Sequence, residues 1–186
     1  PYEGSITFGG EELRDMDKNR RSSIFGYLGH DPELLSASIR ENICMGDGQD
    51  PAPYLHAVRL GREVTEMEQG PDTLVGPEGH RLSGGQAQRL ALARTLYHKR
   101  PVLILDDPFS ALDKPTEAEI FRELRELGKG SIVLLISHRL YLFPQLDRVL
   151  WMENGTVTAG THEELLQKVP AYRALAADQE GGQNHA

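Results

Sequence analysis

The chain has 186 residues, 39% of them hydrophobic and 26% charged, which is enough for one globular domain with a hydrophobic core. Its 20 Lys and Arg and 28 Asp and Glu residues give a formal net charge of −8, which argues against a general nucleic-acid binder. The single cysteine excludes an intrachain disulfide, so we expect a reducing compartment. No apolar run approaches the roughly 20 residues of a membrane span, and no leader peptide opens the chain, so we expect a soluble domain.

Short strands and then polar helices are predicted in the first half of the chain. Residues 5–8 and 23–28 are typical of short strands, because each is a small apolar run closed by glycine. From 36 to 68 the pattern becomes helical and more polar, and 70–82 has the composition of a loop. The apolar spacing over 86–97 then predicts a strong helix.

Two continuous apolar runs, 102–105 and 132–136, dominate the second half. Such runs are typical of strands in a parallel sheet that is covered on both faces. Between them, 116–127 carries an apolar stripe at helical spacing. Strand, helix and strand form a βαβ unit, so the sequence predicts an α/β fold with a mainly parallel sheet.

A hairpin and a helix are predicted at the end of the chain. Segments 149–152 and 156–159 flank an Asn-Gly pair, the preferred type I′ hairpin turn. Thr161 then has the spacing of a helix N-cap with a capping box. Residues 179–186 have the composition of a disordered tail.

Polar side chains follow the two apolar runs. Asp106 and Asp107 end the first run, and His138 follows the second. The carboxyl ends of parallel strands are where open α/β sheets bind ligands, and carboxylate oxygens suit Mg²⁺. A solvated turn, for which Asp-Asp-Pro is also typical, and an exposed histidine are the alternatives.

A glycine-rich segment opens the predicted helix over 86–97. Gly84 and Gly85 allow backbone N–H groups to approach an anion at a helix N-terminus, and Ser83 adds a hydroxyl. The alternative is that Ser83 is an ordinary N-cap beside a flexible loop.

The order and spacing of these motifs resemble the ATP-binding cassette of ABC transporters. The matching residues are Leu82, Ser83, Gly84, Gly85 and Gln86 for the signature, Asp106 and Asp107 for Walker B, Ser110, Ala111, Leu112 and Asp113 for the D-loop, and His138 for the H-loop. Residues 25–32 are similar to the family's Q-loop region. Residues 38–43 and 73–81 resemble the exporter branch, in which the cassette is fused behind a membrane domain.

The resemblance implies a P-loop NTPase-like (RecA-like) α/β fold with an α-helical subdomain. It divides the chain into the end of the N-terminal region (1–36), a helical subdomain with the signature (37–97), the Walker B, D-loop and H-loop core (98–160), and a C-terminal helix and tail (161–186).

The resemblance also implies a motor domain that hydrolyses ATP to drive transmembrane transport from the cytoplasmic face of a membrane. Asp106 would bind Mg²⁺, and His30, Asp107 and His138 would form the catalytic edge. The signature would bind the ATP of a second cassette in trans, in a homodimer or a heterodimer. The expected partners are that second cassette and a transmembrane domain, with no nucleic acid.

The family's phosphate-binding P-loop, Gly-x-x-x-x-Gly-Lys-Ser/Thr, does not occur in the sequence. The Gly128-Lys129 pair is followed by Gly130 instead of Ser or Thr. We therefore expect a cassette that was cut just after its P-loop, and an isolated chain without ATPase activity.

Two residues depart from the family at the catalytic edge. His30 stands where the family has Gln, and Asp107 stands where it has the catalytic Glu, which is one methylene longer. These changes predict a weak site, either in the degenerate half of a heterodimer or in a slow homodimer. A non-catalytic regulatory cassette and a soluble ABC-type ATPase are alternatives, and the acidic charge disfavours the second.

Overall fold

The computed structural model describes residues 3–76 and 81–181. The chain divides into two compact units, Pro1–Ile136 and Ser137–Ala186. Within the described residues no helix is both long and apolar enough to cross a bilayer. The predicted exporter-like segment over 73–81 lies partly outside the described residues, at 77–80.

The described part of the first unit contains both short strands and helices. The strands are β1 (Thr7–Phe8), β2 (Glu11–Glu12), β3 (Phe25–Leu28), β4 (Ala37–Ser38), β5 (Leu74–Val75), β6 (Val102–Asp106) and β7 (Ile132–Ile136). The helices are α1 (Lys18–Ile24), α2 (Ile39–Cys44), α3 (Ala52–Ala57), α4 (Gly61–Thr65), α5 (Gly84–Tyr97) and α6 (Lys114–Leu127), with a short 3-10 helix at Gly70–Asp72.

The central sheet of this unit is parallel, in the order β3-β6-β7. Leu28 pairs with Leu105, and Asp106 pairs with Ile136, so the carboxyl ends of the three strands meet at one edge. This confirms the predicted α/β fold with a parallel sheet. Leu103 and Leu105 of the middle strand are fully buried, as a continuous apolar run requires.

The prediction that both apolar runs are covered on both faces is wrong for β7. Ile132 and Ile136 are 56% and 54% exposed, and Leu134 between them is also exposed. Side chains alternate across a strand, so these three share one face, and no described element of this unit covers it. Composition reports that a strand is apolar, whereas its burial depends on what packs against each face.

The predicted strand over 23–28 is too long. Ser23 and Ile24 belong to α1, which the sequence analysis missed, and β3 begins at Phe25. Asp17 caps α1 by accepting a hydrogen bond from the N–H of Arg20. Ile24 is buried with Met16, so tertiary packing supports a helix whose sequence is otherwise polar.

A cluster of helices lies between β4 and β6. The helix α5 packs against α2 and α3, and its buried residues include Leu90, Leu92, Ala93 and Leu96. It begins at Gly84, two residues before the predicted start, because Ser83 is the N-cap. The region predicted as helical from 36 onward opens with the short strand β4, paired to β5, before α2 begins.

The second unit contains a 3-10 helix (Leu140–Gln145), β8 (Val149–Glu153), β9 (Thr156–Gly160), α7 (His162–Lys168) and α8 (Pro170–Gly181). The predicted hairpin is confirmed, and both residues of its Asn154-Gly155 turn have positive φ, at 49° and 74°. Thr161 caps α7 in the predicted capping box.

The tail predicted over 179–186 is partly wrong. The helix α8 continues to Gly181, and residues 182–186 lie outside the described part of the chain. Tyr172 of this helix is fully buried and contacts Trp151 edge to face, with ring centroids 5.5 Å apart. Gln179 donates a hydrogen bond to the carbonyl of His138 at 2.6 Å. These contacts hold a segment whose composition alone favours disorder.

Candidate functional site

The predicted acidic pair lies at the carboxyl edge of the parallel sheet. Asp106 is the last residue of β6, and Asp107 follows it with a φ of 46° in the left-handed region. The N–H of Asp107 donates to the carbonyl of Ile136 at 2.8 Å, which extends the ladder one residue beyond β6. Its own carbonyl accepts from the N–H of Ser110 at 3.2 Å. The backbone that carries Asp107 is therefore fixed on both sides.

His30 and Asp107, which are 77 positions apart in the sequence numbering, come together at this edge. The Nδ1 atom of His30 lies 3.8 Å from Oδ2 of Asp107. The parallel register explains this approach, because Leu28 pairs with Leu105 and each polar residue follows its pair by two positions. The Asp107 side chain is 13% exposed and that of His30 58% exposed, so the imidazole forms the solvent side of the pair.

The signature begins a 14-residue helix, α5. Ser83 and Gly84 are exposed and Leu82 is half-buried. The hydroxyl oxygen of Ser83 accepts from the N–H of Gln86 at 3.2 Å, and the Ser83 N–H donates to Oε1 of Gln86 at 2.8 Å. The first N–H groups of a helix have no intrahelical acceptors and attract anions, which is what the signature was predicted to supply.

The predicted D-loop residues contact the start of α5. A Cβ on Gly85 would lie 3.0 Å from the carbonyl oxygen of Ala111 and 3.6 Å from the side chain of Leu112, so only glycine allows this approach without displacement. Asp113 is the N-cap of α6, with its carboxylate accepting from the N–H and the hydroxyl of Thr116. These hydrogen bonds lower the pKa of Asp113.

Sequence reasoning missed Glu63 in α4, which contacts the signature helix. Its Oε2 accepts from the side-chain amide of Gln86 at 2.7 Å, and its Oε1 accepts from Arg89 at 2.6 Å. Burial raises the pKa of Glu63, but the hydrogen bonds from Arg89 and Gln86 outweigh it and hold that pKa below its ordinary value. The spacing of Gln86 and Arg89 places them on one helix face, but no sequence signal identifies their partner.

A buried amide fixes the loop that carries His30. Asn42 of α2 is fully buried, and its side chain accepts from the N–H of Leu35 at 2.9 Å and donates to the carbonyls of Leu35 and Ser38. Arg94 of α5 donates to Oδ1 of Asn42 at 3.2 Å and to the carbonyl of Glu33. The loop after β3 is therefore bonded to both α2 and the signature helix.

The predicted catalytic His138 is the second residue of the second unit and lies two residues after β7. Its carbonyl accepts from Gln179 of the same unit. Its approach to Asp106 stays a prediction. Within the described ranges, no group of three or more His, Cys, Asp or Glu side chains has the arrangement of a metal site.

A three-stranded parallel sheet, an acidic pair at its carboxyl edge and a glycine-rich helix start define a nucleotide-binding domain of the P-loop NTPase type. The family model described as ABC transporter matches residues 1–110. The chain belongs to the ABC transporter family, as an ATP-binding domain of the exporter type.

Two curated relatives and one solved structure illustrate the similarity. The chain is 38% identical over 179 residues to an ATP-dependent lipid A-core flippase of Burkholderia orbicola, with 94% of this chain and 30% of the relative aligned. It is 37% identical over 178 residues to a probable multidrug resistance ABC transporter ATP-binding/permease protein of Bacillus subtilis, covering 93% of this chain and 30% of that protein.

The solved structure is that of a bacterial Atm1-family ABC exporter with ATP bound. It superposes with a TM-score of 0.88 at 30% identity, covering 96% of this chain and 32% of that chain. The chain thus spans about 30% of the length of these curated relatives.

Proposed function

We propose that this chain is the part of an exporter motor that completes an ATP site in trans and contributes a weakened catalytic edge of its own. The observation that carries the proposal is the exposed start of α5, where Ser83 and Gly84 present a hydroxyl and helix N–H groups to solvent. The relatives' names support it, because they describe ATP-dependent flippase and ATP-binding/permease proteins.

The ligand of the exposed signature would be the ATP held by a second cassette. Its phosphates would accept hydrogen bonds from Ser83 and from the N–H groups of Gly84 and Gly85. These donors are held by the capping box of α5 and by the contact of Gly85 with Ala111, so little reorganisation is needed when an anion arrives. Binding and hydrolysis of this ATP would move the two cassettes relative to each other, and a transmembrane domain at the cytoplasmic face would be coupled to that movement.

The residues at the sheet edge fit Mg²⁺. This ion prefers oxygen ligands and commonly binds one or two carboxylates together with phosphates and water, and Asp106 and Asp107 offer two adjacent carboxylates. Asp106 would hold the ion. When bound, Mg²⁺ would neutralise part of the phosphate charge.

Asp107 would act as the general base for the attacking water in this chain's own site. A base must come within about 2.6–3.2 Å of the proton that it removes, and the Asp107 side chain is short and has little freedom above its fixed backbone. His30 lies beside this carboxylate, 3.8 Å from its Oδ2, and its imidazole nitrogen is a poorer ligand for Mg²⁺ than the amide oxygen of the family's Gln. Both features favour slow turnover at this edge.

Steady-state ATPase of the full-length transporter tests the proposal with two single variants. In a heterodimer, we expect Asp107→Ala to change turnover less than twofold and Ser83→Ala to reduce it about tenfold or more, because losing one oxyanion donor costs about 10²-fold in favourable cases. Glu66→Gln, in an exposed ion pair with Arg62, is the control that leaves turnover unchanged.

Three other outcomes would contradict parts of the proposal. Equal, near-complete loss in both variants would remove the heterodimer and leave a symmetric, slow homodimer. Wild-type turnover in both variants would overturn the roles of the catalytic edge and of the signature. An assembled protein that binds ATP without hydrolysing it would be a non-catalytic regulatory cassette.

A further inference from the structure

Both polar atoms of the Gln86 side chain are engaged inside the chain. Its Oε1 accepts from the backbone N–H of Ser83 at 2.8 Å, and its Nε2 donates to Glu63 at 2.7 Å. A primary amide that has made these two bonds retains one further N–H donor and one further oxygen lone pair. Gln86 is therefore held by its own fold before any nucleotide arrives.

Glu63 is in turn held by Arg89, which also bonds to the backbone of Arg59. Arg89, only 12% exposed, donates to Glu63 and also to the carbonyl of Arg59, at 2.6 Å in each case. Arg59 forms ion pairs with Glu119 at 2.8 Å and Glu123 at 3.4 Å on α6. The carboxylate of Glu63 thus joins the first turn of α5 to α4, and through the arginines to α6.

We propose that Glu63 is the positioning residue of the signature: by fixing the Gln86 amide and Arg89, it orients the first turn of α5, and Gln86 is a brace and not a nucleotide ligand. The proposal rests on the proposed function of α5 as a trans ATP site. The nucleotide would then be bound by the donors that this network leaves facing solvent, which are the Ser83 hydroxyl and the N–H groups of Gly84 and Gly85.

Exchanging the side chains of Glu63 and Gln86 distinguishes a Gln86 that positions the helix from a Gln86 that binds the nucleotide. In Glu63→Gln, either the Gln86 amide or Arg89 loses its carboxylate acceptor and faces an N–H group instead. In Gln86→Glu, two carboxylates face each other. In the double variant the new amide at position 63 donates to the new carboxylate at position 86 and accepts from Arg89. That carboxylate still accepts from the Ser83 N–H, because Ser-x-x-Glu is itself a capping box. Every hydrogen bond of the network is retained, but a carboxylate replaces the amide of the signature.

The assay is steady-state ATPase of the full-length transporter carrying each variant, with KM for ATP and kcat measured separately. We expect each single variant to lower kcat/KM about tenfold, which corresponds to about 1.4 kcal/mol, mainly through KM, and the double variant to return within about threefold of wild type. Glu66→Gln, the same substitution one turn along at an exposed ion pair, is the control. A double variant as poor as the worse single would overturn the proposal, because the nucleotide would then need the amide itself.

Amide hydrogen exchange of residues 83–90 in the nucleotide-free protein decides the matter even if ATPase is absent. We expect faster exchange in each single variant and wild-type exchange in the double variant. Unchanged exchange in the single variants would overturn the positioning role, whatever the activity. A wild-type protein without ATPase but with this exchange pattern would overturn only the proposed function.

Discussion

Replacement of Asn42 by alanine tests whether the loop that carries His30 is held by one buried amide. The substitution removes the hydrogen bonds of Asn42 to the N–H of Leu35 (2.9 Å) and to the carbonyls of Leu35 (3.0 Å) and Ser38 (3.1 Å), and the one from Arg94 (3.2 Å). It also leaves a small cavity beside the signature helix. We expect a loss of stability that is local in origin but visible in global unfolding.

The size of the loss follows from which groups can find new partners. The carbonyl of Leu35 also accepts from the N–H of Ala37, and Arg94 retains the carbonyl of Glu33, whereas the N–H of Leu35 loses its bond to Oδ1 of Asn42. A net hydrogen bond contributes about 1 kcal/mol, and a buried polar group left without a partner costs about 1–3 kcal/mol. Together these give about 3 kcal/mol, or a decrease in Tm of roughly 6–12 °C for a chain of this size.

Urea unfolding followed by circular dichroism measures this loss, with thermal unfolding as a second reading. Asn19→Ala is the matched control, because Asn19 lies exposed on α1, and we expect a change within about 0.5 kcal/mol. A loss below about 1 kcal/mol for Asn42→Ala, or one equal to that of the control, would refute the reasoning. It would mean that water replaces the amide at these contacts.

Three further outcomes are expected from the geometry. A Cβ on Gly84 meets no atom within 4 Å, whereas one on Gly85 would lie 3.0 Å from the carbonyl of Ala111. The free energy of unfolding in urea should therefore be unchanged or higher for Gly84→Ala and lower by about 1–2 kcal/mol for Gly85→Ala. Equal free energies of unfolding for the two variants would contradict this contact. Burial, with the nearby Glu163 charge, raises the pKa of Tyr172 from 10.0 to about 12, so its contribution to stability is complete below pH 10 and lost as the pH rises towards 12. Tyr172→Phe should flatten the Tm profile over that range, and a wild-type profile that is already flat would be inconsistent with the shift. The lowered pKa of Glu63 contributes stability above its ordinary value of 4.5 that is lost as the pH falls through the lowered value, so acid unfolding should be steeper for wild type than for Glu63→Gln.

Local patterns predicted many of the element boundaries. The apolar run of β7 matches the predicted strand at 132–136, and that of β6 extends one residue further, to Asp106. The capping box at Thr161 is also confirmed, because it depends on residues three positions apart. Where a helix starts at a side-chain cap that the prediction did not use, the boundary shifts: Asp113 makes α6 begin at Lys114 and not at 116.

The helix α1 and the end of α8 were missed for a common reason. Neither has the composition of a stable helix, and each is held by contacts that lie far along the chain. Ile24 of α1 is buried against Val102, and Gln179 of α8 bonds to the backbone of His138 and Leu140. Tertiary packing overrides weak local preference, and a single sequence carries no direct record of such packing.

The sequence by itself determined the motifs of the site, their order and the elements that carry them. The Ser-Gly-Gly-Gln helix start and the Asp-Asp strand end are local features, because each depends only on residues adjacent in the sequence. Only the tertiary structure decided which side chains share a hydrogen bond across long separations. It joins Glu63 to Gln86, 23 positions apart, and Asn42 to Arg94, 52 positions apart. Periodicity in the sequence indicates which face of an element is apolar. A polar contact between two elements depends on their register and packing angle, and these are fixed only when the hydrophobic core has packed.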